Sequence, residues 1–338
     1  MTKASIPLVT LTRGPLAECV HRGHIAVVDA DGRVASAAGD PHFVTFARSA
    51  AKPLQAVPVV ASGAADRFGL DADELALLCA SHSGESRHVE AVSRILAKLG
   101  LGETHLQCGA HPPYHKPSAS ALREAGEAPR AVHNNCSGKH AGMLALALQL
   151  GAPTDGYRRP DHPAQRAMLD AFASFAGVPA ADVALGVDGC GVPVYGVPLS
   201  ALALAYARLG TPRGGGSAMD AARRVVAAVQ AHPEMLAGTD RYDTQLIRAS
   251  GGRVIGKMGA EGIFAAALVG EGLALAVKIE DGAQRALYPA VTEALLQLGW
   301  IDDAAAEELA DYHKPAVRNW SGEVVGETVP SFRLEPLR

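Results

Sequence analysis

The sequence has 338 residues, of which 48% are hydrophobic and 20% charged, and its formal net charge is −4. This length is ample for a hydrophobic core, and the negative charge argues against nucleic acid or an anionic membrane surface as a partner. The sequence contains no run of about 18 apolar residues that would predict a membrane span. Its first 12 residues lack a signal-peptide pattern, and its five cysteines are widely spread, so we expect a cytoplasmic protein.

The first part of the chain predicts strands followed by a helix. Residues 6–12 have the composition of a strand, and residues 23–37 predict a hairpin that turns at an Asp-Gly pair. A helix that carries Ser49 and Lys52 is expected next, and Pro58 is expected to kink its second half.

The middle of the chain predicts mainly helices joined by polar loops. Asp71 and Glu74 form a capping-box pattern before a short apolar segment. Apolar periodicity predicts further helices over residues 85–99, 143–150, 164–175, 199–209, 217–231 and 239–249. Proline and glycine predict loops over residues 107–118, 158–163, 187–193 and 210–216.

The last third of the chain returns to strands. Three are predicted, over residues 254–257, 262–269 and 273–279, and a helix is predicted over residues 284–298. We therefore expect an α/β (α+β) fold in a single enzyme unit, with one antiparallel sheet flanked by helices. Residues 1–45 and 250–282 would form the sheet, and residues 46–249 a mainly helical region inserted between them.

Ser49 and Lys52 form a Ser-x-x-Lys pattern at the start of the predicted helix. Three-residue spacing places both side chains on one helical face. A lysine there can accept the serine proton if its own proton is held loosely, which would activate the serine for acyl transfer. Two fixed residues also match by chance in a chain of this size, so an unrelated surface serine and lysine remain the alternative.

Two later segments extend this pattern. Ser81-His82-Ser83 contains two hydroxyls in a small-residue loop, and Lys257 starts a Lys-Met-Gly sequence at the end of a predicted strand. In order, the three segments resemble the motifs of serine β-lactamases and penicillin-binding proteins, although Ser83 and Met258 replace the usual Asn and Thr and the spacings differ. An ordinary loop and a solvent-facing strand lysine are the alternatives.

Cys136 and Cys190 lie in Gly-rich polar turns, an unusual location for structural cysteines. Lys139 and His140 follow the first, and Asp188 precedes the second. Two thiolates and a nitrogen could hold Zn²⁺ with water in the fourth position. Because the sequence has no Cys-x-x-Cys pair, plain free thiols are the alternative.

Five longer stretches of the sequence are Arg-Ser-Ala-Ala-Lys-Pro, Cys-Ala-Ser-His-Ser-Gly-Glu, His-Asn-Asn-Cys-Ser-Gly-Lys-His-Ala-Gly-Met, Gly-Val-Asp-Gly-Cys-Gly-Val-Pro and Gly-Lys-Met-Gly-Ala-Glu-Gly. With these stretches the chain closely resembles the rhizobial-type L-asparaginases, over about residues 6 to 330. The resemblance implies a serine β-lactamase- and glutaminase-like fold. It also implies two Ser–Lys pairs, Ser49 with Lys52 and Ser81 with Lys257, and zinc ligands that map onto Cys136, Lys139 and Cys190.

The resemblance also implies a mechanism. Ser49, deprotonated by Lys52, would attack the side-chain amide of asparagine, and ammonia would leave with a proton delivered through Ser81 and Lys257. Water would then hydrolyse the aspartyl ester. Zinc would orient the substrate or stabilise the structure, because a serine nucleophile needs no metal-bound hydroxide.

Three other residues are candidates for binding the substrate. Arg48 could hold the α-carboxylate and Asp188 the α-ammonium group, by charge and position. His140 could form a hydrogen bond within the zinc site or to the substrate. Ser83 stands where some members of the family have Asn, which affects contacts to the substrate rather than the chemistry.

Several alternatives stay open at this point. The substrate could be glutamine or a related amide, since one methylene gives only about 1–3 kcal/mol of discrimination. A zinc-bound hydroxide could attack directly, which would leave Ser49 incidental. The chain could also be an amino-acid-binding or penicillin-recognition module without turnover. We expect a homodimer, both from the resemblance and because twofold dimers are the commonest assemblies.

Overall fold

A computed structural model describes residues 4–336 of the chain. Its strands are β1 (Ile6–Arg13), β2 (Leu16–Asp29), β3 (Val34–Ala38), β4 (Val44–Phe46), β5 (Ala184–Val187), β6 (Pro193–Pro198), β7 (Val254–Gly259), β8 (Ile263–Leu268), β9 (Leu273–Ile279), β10 (Val317–Arg318), β11 (Val324–Gly326), β12 (Thr328–Pro330) and β13 (Glu335–Pro336). Its helices are α1 (Lys52–Ala61), α2 (Ala64–Arg67), α3 (Ala72–Leu78), α4 (Ser86–Lys98), α5 (Lys116–Glu124), α6 (Ser137–Gln149), α7 (Pro163–Ala176), α8 (Leu199–Gly210), α9 (Ser217–Ala231), α10 (Pro233–Leu236), α11 (Tyr242–Ala249), α12 (Gln284–Gln297), α13 (Asp303–Glu308) and α14 (Ala310–His313).

The described residues divide into two units. The sheet unit consists of residues 4–50, 196–211 and 245–336, and the helical unit of residues 51–195 and 212–244. Helix α8 therefore belongs to the sheet unit, although its position in the chain had placed it in the inserted helical region. Its residues are almost all buried, because it packs against β2, β8 and β9. That the whole chain acts as a single enzyme unit stays a prediction.

The sheet unit is built on an eight-stranded sheet with the central order β12-β1-β2-β9-β8-β7. Neighbouring strands are antiparallel, and β3 extends the sheet along the second half of β2. All six residues of β8 are buried. Because side chains alternate between the two faces of a strand, this burial requires cover on both faces, and α8 and α12 both contact β8. The predicted fold class, an antiparallel sheet of N- and C-terminal strands with flanking helices, is confirmed.

The sequence underestimated the sheet at two places. Strand β2 begins at Leu16, after a tight turn in which Gly14 has φ +54°, whereas a strand was predicted only from residue 23. The C-terminal strands were not predicted either: β12 and β13 belong to this sheet, whereas β10 and β11 form a separate two-stranded sheet. Each has only two or three residues, too few to show the alternation that identifies a strand.

The helical unit is centred on α1, which packs against α6, α7 and α9. This helix continues through Pro58 to Ala61. The predicted capping box is confirmed, since the Asp71 amide donates to Glu74 Oε2 at 2.9 Å ahead of α3. Helix α5 was not predicted, and it starts at Lys116 inside the expected loop. Helix α6 begins earlier than predicted, at Ser137 rather than at Met143.

No helix within residues 4–336 combines the length and the apolar character that crossing a membrane requires.

Candidate active site

Ser49 lies in a short 3-10 helix, Arg48–Ala51, at the end of the sheet unit's first segment. The backbone of Arg48 has φ +49°, in the left-handed region that residues other than glycine rarely adopt. Such strain persists only where the surroundings fix the backbone. Here the Tyr206 hydroxyl donates to the carbonyl oxygen of Ala50 at 2.7 Å. The buried Ser49 therefore lies on a constrained turn.

Lys257 lies in β7, and its side chain is fully buried. Its Nζ donates to the carbonyl oxygen of Met258 at 2.8 Å. Two residues further on, Gly259 allows a close approach, since an added Cβ would lie 2.9 Å from the carbonyl oxygen of Ala47. Within the sheet unit, the strand that carries Lys257 thus packs against the segment that precedes Ser49.

Lys52 is the first residue of α1, so the α-helix begins three residues later than the predicted start at Ser49. Its side chain is fully buried and donates three hydrogen bonds inside the helical unit. The acceptors are the carbonyl oxygen of Ala80 at 2.6 Å, Ser81 Oγ at 2.9 Å and Cys136 Sγ at 3.2 Å. Lys52 therefore links a predicted catalytic serine to a predicted zinc ligand. The predicted pairing of Ser81 with Lys257 stays a prediction.

Cys136, Cys190 and Lys139 lie together beside Lys52. Cys136 immediately precedes α6, which carries Lys139, and Cys190 follows β5 in the predicted turn. Lys139 Nζ donates to Cys190 Sγ at 3.1 Å, and the two thiols are hydrogen-bonded to each other. The structure thus brings the three predicted zinc ligands into one buried cluster.

The electrostatics of this cluster favour one thiolate, at Cys136. The hydrogen bond from Cys190 holds the pKa of Cys136 well below its usual range against the effect of burial, and the charges of Lys52 and Lys139 add to this. The same hydrogen bond, with burial, raises the pKa of the Cys190 thiol. Burial acts to lower the pKa of Lys139, but its electrostatic interaction with Cys190 and Cys136 raises it overall.

His140 lies on α6 next to Lys139 and is fully buried. The separation between its Nδ1 and the hydroxyl of Tyr157 is 2.7 Å, and Gln107 donates its amide N–H to the same hydroxyl at 2.9 Å. Burial holds the pKa of His140 well below its usual range, so the imidazole is neutral. Its Nε2 is buried without a hydrogen-bond partner among the described residues. His140 therefore offers one free nitrogen, while Tyr157 fixes the other.

The two predicted charge clamps lie on different units. Arg48 is half-buried in the sheet unit. Asp188 belongs to the helical unit, where its Oδ1 accepts from the amide of Gly189 at 2.8 Å. Roles in substrate binding for Arg48, His140 and Asp188 stay predictions.

The donor set of the cysteine cluster fits Zn²⁺. Two sulfur atoms and one amine nitrogen are donors that zinc accepts, and the free Nε2 of His140 belongs to the residue after Lys139. No group of three or more His, Cys, Asp and Glu side chains suited to a metal occurs in residues 4–336. The third protein ligand would therefore be Lys139, which must lose its proton to bind.

The sequence did not reveal the contacts that surround these residues. The bond between Lys52 and Cys136 joins residues 84 positions apart, and no local pattern encodes it. Tyr157, which contacts His140, stands in an unremarkable loop. Glu85, which follows Ser83 and Gly84 in a quoted motif, proves to be a buried carboxylate with partners on two segments.

The model of the L-asparaginase II family matches residues 9–330. The chain belongs to the L-asparaginase II family. This is an amidohydrolase family, and its model covers every predicted site residue. No curated protein is significantly similar to the chain in sequence.

Solved structures resemble this member of the L-asparaginase II family at low sequence identity. A crystal structure of Mglu in its glutamate form is 16% identical, with a TM-score of 0.47, and the match covers 83% of this chain and 61% of that one. A β-lactamase from Mycobacterium bovis is 15% identical, with a TM-score of 0.46, and the match covers 83% and 95% of the two chains. The chain thus spans about three fifths of the length of the first of these structures.

Proposed function

We propose that this chain is an L-asparaginase of the rhizobial, zinc-binding type, which hydrolyses L-asparagine to L-aspartate and ammonia. The observation that carries the proposal is the buried lysine at the start of α1. Lys52 follows Ser49 by three residues in the chain and donates to Ser81 Oγ at 2.9 Å. A lysine shared by two serine segments is suited to moving protons between an attacking hydroxyl and a leaving group.

The proposed reaction has two halves. In the first, Lys52 acts as the neutral amine: it takes the proton of Ser49 Oγ, which forms an ester bond with the side-chain carbonyl carbon of asparagine. The C–N bond of the amide then breaks, and the nitrogen takes a proton through Ser81 to leave as ammonia. In the second half, water gives a proton to the same network and attacks the ester, which releases aspartate and restores the Ser49 hydroxyl.

The other residues bind and orient the substrate in this proposal. Arg48 would hold the α-carboxylate by a charge-assisted hydrogen bond, and Asp188 the α-ammonium group. Lys257, which the sheet unit buries in a strand packed against the Ser49 segment, would add a second lysine to the proton network.

Cys136, Cys190 and Lys139 would hold the zinc ion, and His140 is available beside them. When bound, zinc would supply a fixed positive charge that orients the substrate. Lys52 would keep Ser81 and Cys136 in fixed relation, whether or not the metal is present. A cytoplasmic location and a homodimer are part of the same proposal.

Ammonia release from L-asparagine and from L-glutamine, with and without added zinc, tests this function. We expect asparagine to be hydrolysed faster. Faster release from glutamine would keep the chemistry but change the substrate, because only about 1–3 kcal/mol separates the two amides. Absence of ammonia from both amides, with zinc present, would overturn the proposal.

A further inference from the structure

Ser81 lies on a loop that is paired with a second segment of the helical unit. The amide of Ser81 donates to the carbonyl oxygen of Leu236 at 3.0 Å, and the amide of Ser83 donates to that of Ala237 at 2.8 Å. These two bonds align the Ser81–Ser83 loop with the segment that follows α10. The position of Ser81 therefore depends on where residues 236–239 lie.

The carboxylate of Glu85 joins the two paired segments. It is 5% exposed and accepts from Ser83 Oγ at 3.0 Å on one side. On the other side it accepts from the amide of Thr239 at 2.7 Å and from the Thr239 hydroxyl at 3.0 Å. Arg87 Nε lies 3.1 Å from its outer oxygen. A carboxylate that accepts this many hydrogen bonds at once is held in one orientation.

Gly238 shows how tightly the segments are joined. Its φ is +133°, a backbone conformation that favours glycine. A Cβ added there would lie 2.0 Å from Ser83 Oγ and 2.6 Å from Glu85 Oε1. The backbone of residues 236–239 therefore packs directly on the carboxylate and on the serine hydroxyl, without an intervening side chain.

We infer that Glu85 is a positioning residue that holds Ser81 where Lys52 can reach its hydroxyl, by clamping residues 236–239 to the Ser81–Ser83 loop. The inference rests on the proposed function for its effect on turnover. If the clamp loosens, the Ser81 amide loses its acceptor and the 2.9 Å contact with Lys52 loses its alignment. A displacement of about 1 Å in a catalytic group can cost about 10²-fold in rate.

The test compares three variants by kcat and KM for L-asparagine. Glu85→Gln keeps the shape but places an amide NH₂ where one of the accepting oxygens was. Thr239→Val removes one hydroxyl donor with nearly the same volume, and it serves if Glu85→Gln does not fold. Glu90→Gln is the matched control, because it neutralises an exposed carboxylate on α4 and leaves the clamp. We expect kcat to fall about tenfold or more in the first two variants with KM little changed, and neither to change in the control.

A double-mutant cycle separates positioning from a merely structural role. If Glu85 acts through Ser81, Glu85→Gln should add little to the loss of rate in a Ser81→Ala background. Full additivity of the two losses, or a Glu85→Gln variant with the wild-type kcat, would overturn the inference.

The rate of amide hydrogen exchange tests the clamp independently of enzymatic activity. We expect faster exchange of the Ser81 and Ser83 amides in Glu85→Gln or Thr239→Val, and no change in Glu90→Gln. Unchanged exchange in both clamp variants would overturn the inference. A wild-type protein without amidase activity would instead overturn the proposed function, and exchange would still decide whether the clamp exists.

Discussion

The Nζ of Lys52 donates a buried hydrogen bond of 2.9 Å to Ser81 Oγ. The sequence had assigned this lysine to Ser49 alone, on the basis of a spacing of three residues. In the structure it contacts the second serine, and a further hydrogen bond of 3.2 Å joins it to Cys136. The pairing with Ser49 stays a prediction. One side chain thus connects both predicted Ser–Lys pairs and the predicted zinc site, and its removal should have the widest consequences.

Lys52→Met should abolish most of the amidase activity. The change removes the proton carrier, which contributes about 10²–10⁴-fold, and leaves the carbonyl of Ala80 and the Ser81 hydroxyl without their donor. Each orphaned group should cost about 1–3 kcal/mol of unfolding free energy. Ammonia release and urea unfolding measure the two effects. Lys116→Met is the control, because Lys116 is also the first residue of a helix, α5, but is exposed, so this variant should keep its activity. Equal activity in the two variants would contradict the role of Lys52.

Cys136→Ser and Cys190→Ser should each lose bound zinc. A serine hydroxyl is a poor replacement for a thiolate ligand, so we expect the metal content to fall from about one ion per chain to a small fraction of that. Elemental analysis after dialysis measures the change. Cys79→Ser is the matched control, because this buried thiol donates to the carbonyl oxygen of Leu75 and is not one of the predicted zinc ligands. Wild-type protein without zinc after growth in zinc, or equal loss in the control, would refute the site.

Two glycines of α6 should respond differently to alanine. A Cβ at Gly138 would lie 2.4 Å from the backbone carbonyl oxygen of Leu77, whereas a Cβ at Gly142 would lie 3.0 Å from a methyl group of Leu78. A backbone oxygen cannot move as a methyl group can, so Gly138→Ala should lower the unfolding free energy by about 1–3 kcal/mol. Gly142→Ala should stay within about 1 kcal/mol, helped by the better helix propensity of alanine. Urea unfolding measures both free energies. A larger loss in Gly142→Ala than in Gly138→Ala would contradict this description of the contact between α3 and α6.

Glu293 should contribute stability that is lost in acid. The hydrogen bond with His313, 2.8 Å long, lowers the pKa of this carboxyl against the effect of burial, with help from Gln297. Because the folded-state pKa lies below the unfolded one, this stability is complete above the unfolded value of about 4.3 and disappears as the pH falls through the folded value. Glu293→Gln should therefore lower Tm at pH 7 by roughly 2–4 °C and reduce the difference in Tm between neutral and acidic pH. If Glu293→Gln showed the same difference in Tm between neutral and acidic pH as the wild type, the role of Glu293 in acid unfolding would be contradicted.

The sequence predicted the parts of the fold that local patterns encode. Strands β7, β8 and β9 and helices α4, α7, α8 and α9 lie within a few residues of their predicted bounds, because each has clear periodicity and a glycine or proline near its ends. Helix α5 was missed because its polar residues follow a proline-rich loop. The start of α6 was missed because Ser137 to His140 are small or polar, although the structure buries them.

The candidate site was predicted as a set of residue types but not as a network. Motifs identified Cys136, Lys139 and Cys190, and the structure brings these three together. No motif could show that Lys52 reaches Ser81, or that Glu85 ties that loop to Thr239, because these contacts join residues 29 and 154 positions apart. Residues so far apart in the sequence come into contact only when the helices pack together.

Ammonia release from L-asparagine by the wild-type protein and by Ser49→Ala examines the serine mechanism in a single comparison. Both proteins should contain equal zinc and unfold at similar temperatures, so that only the hydroxyl differs. We predict that the wild type releases ammonia and that Ser49→Ala is slower by at least about a thousandfold. Ammonia release by Ser49→Ala at a rate close to that of the wild type would contradict the acyl-enzyme mechanism and favour direct attack by a zinc-bound hydroxide.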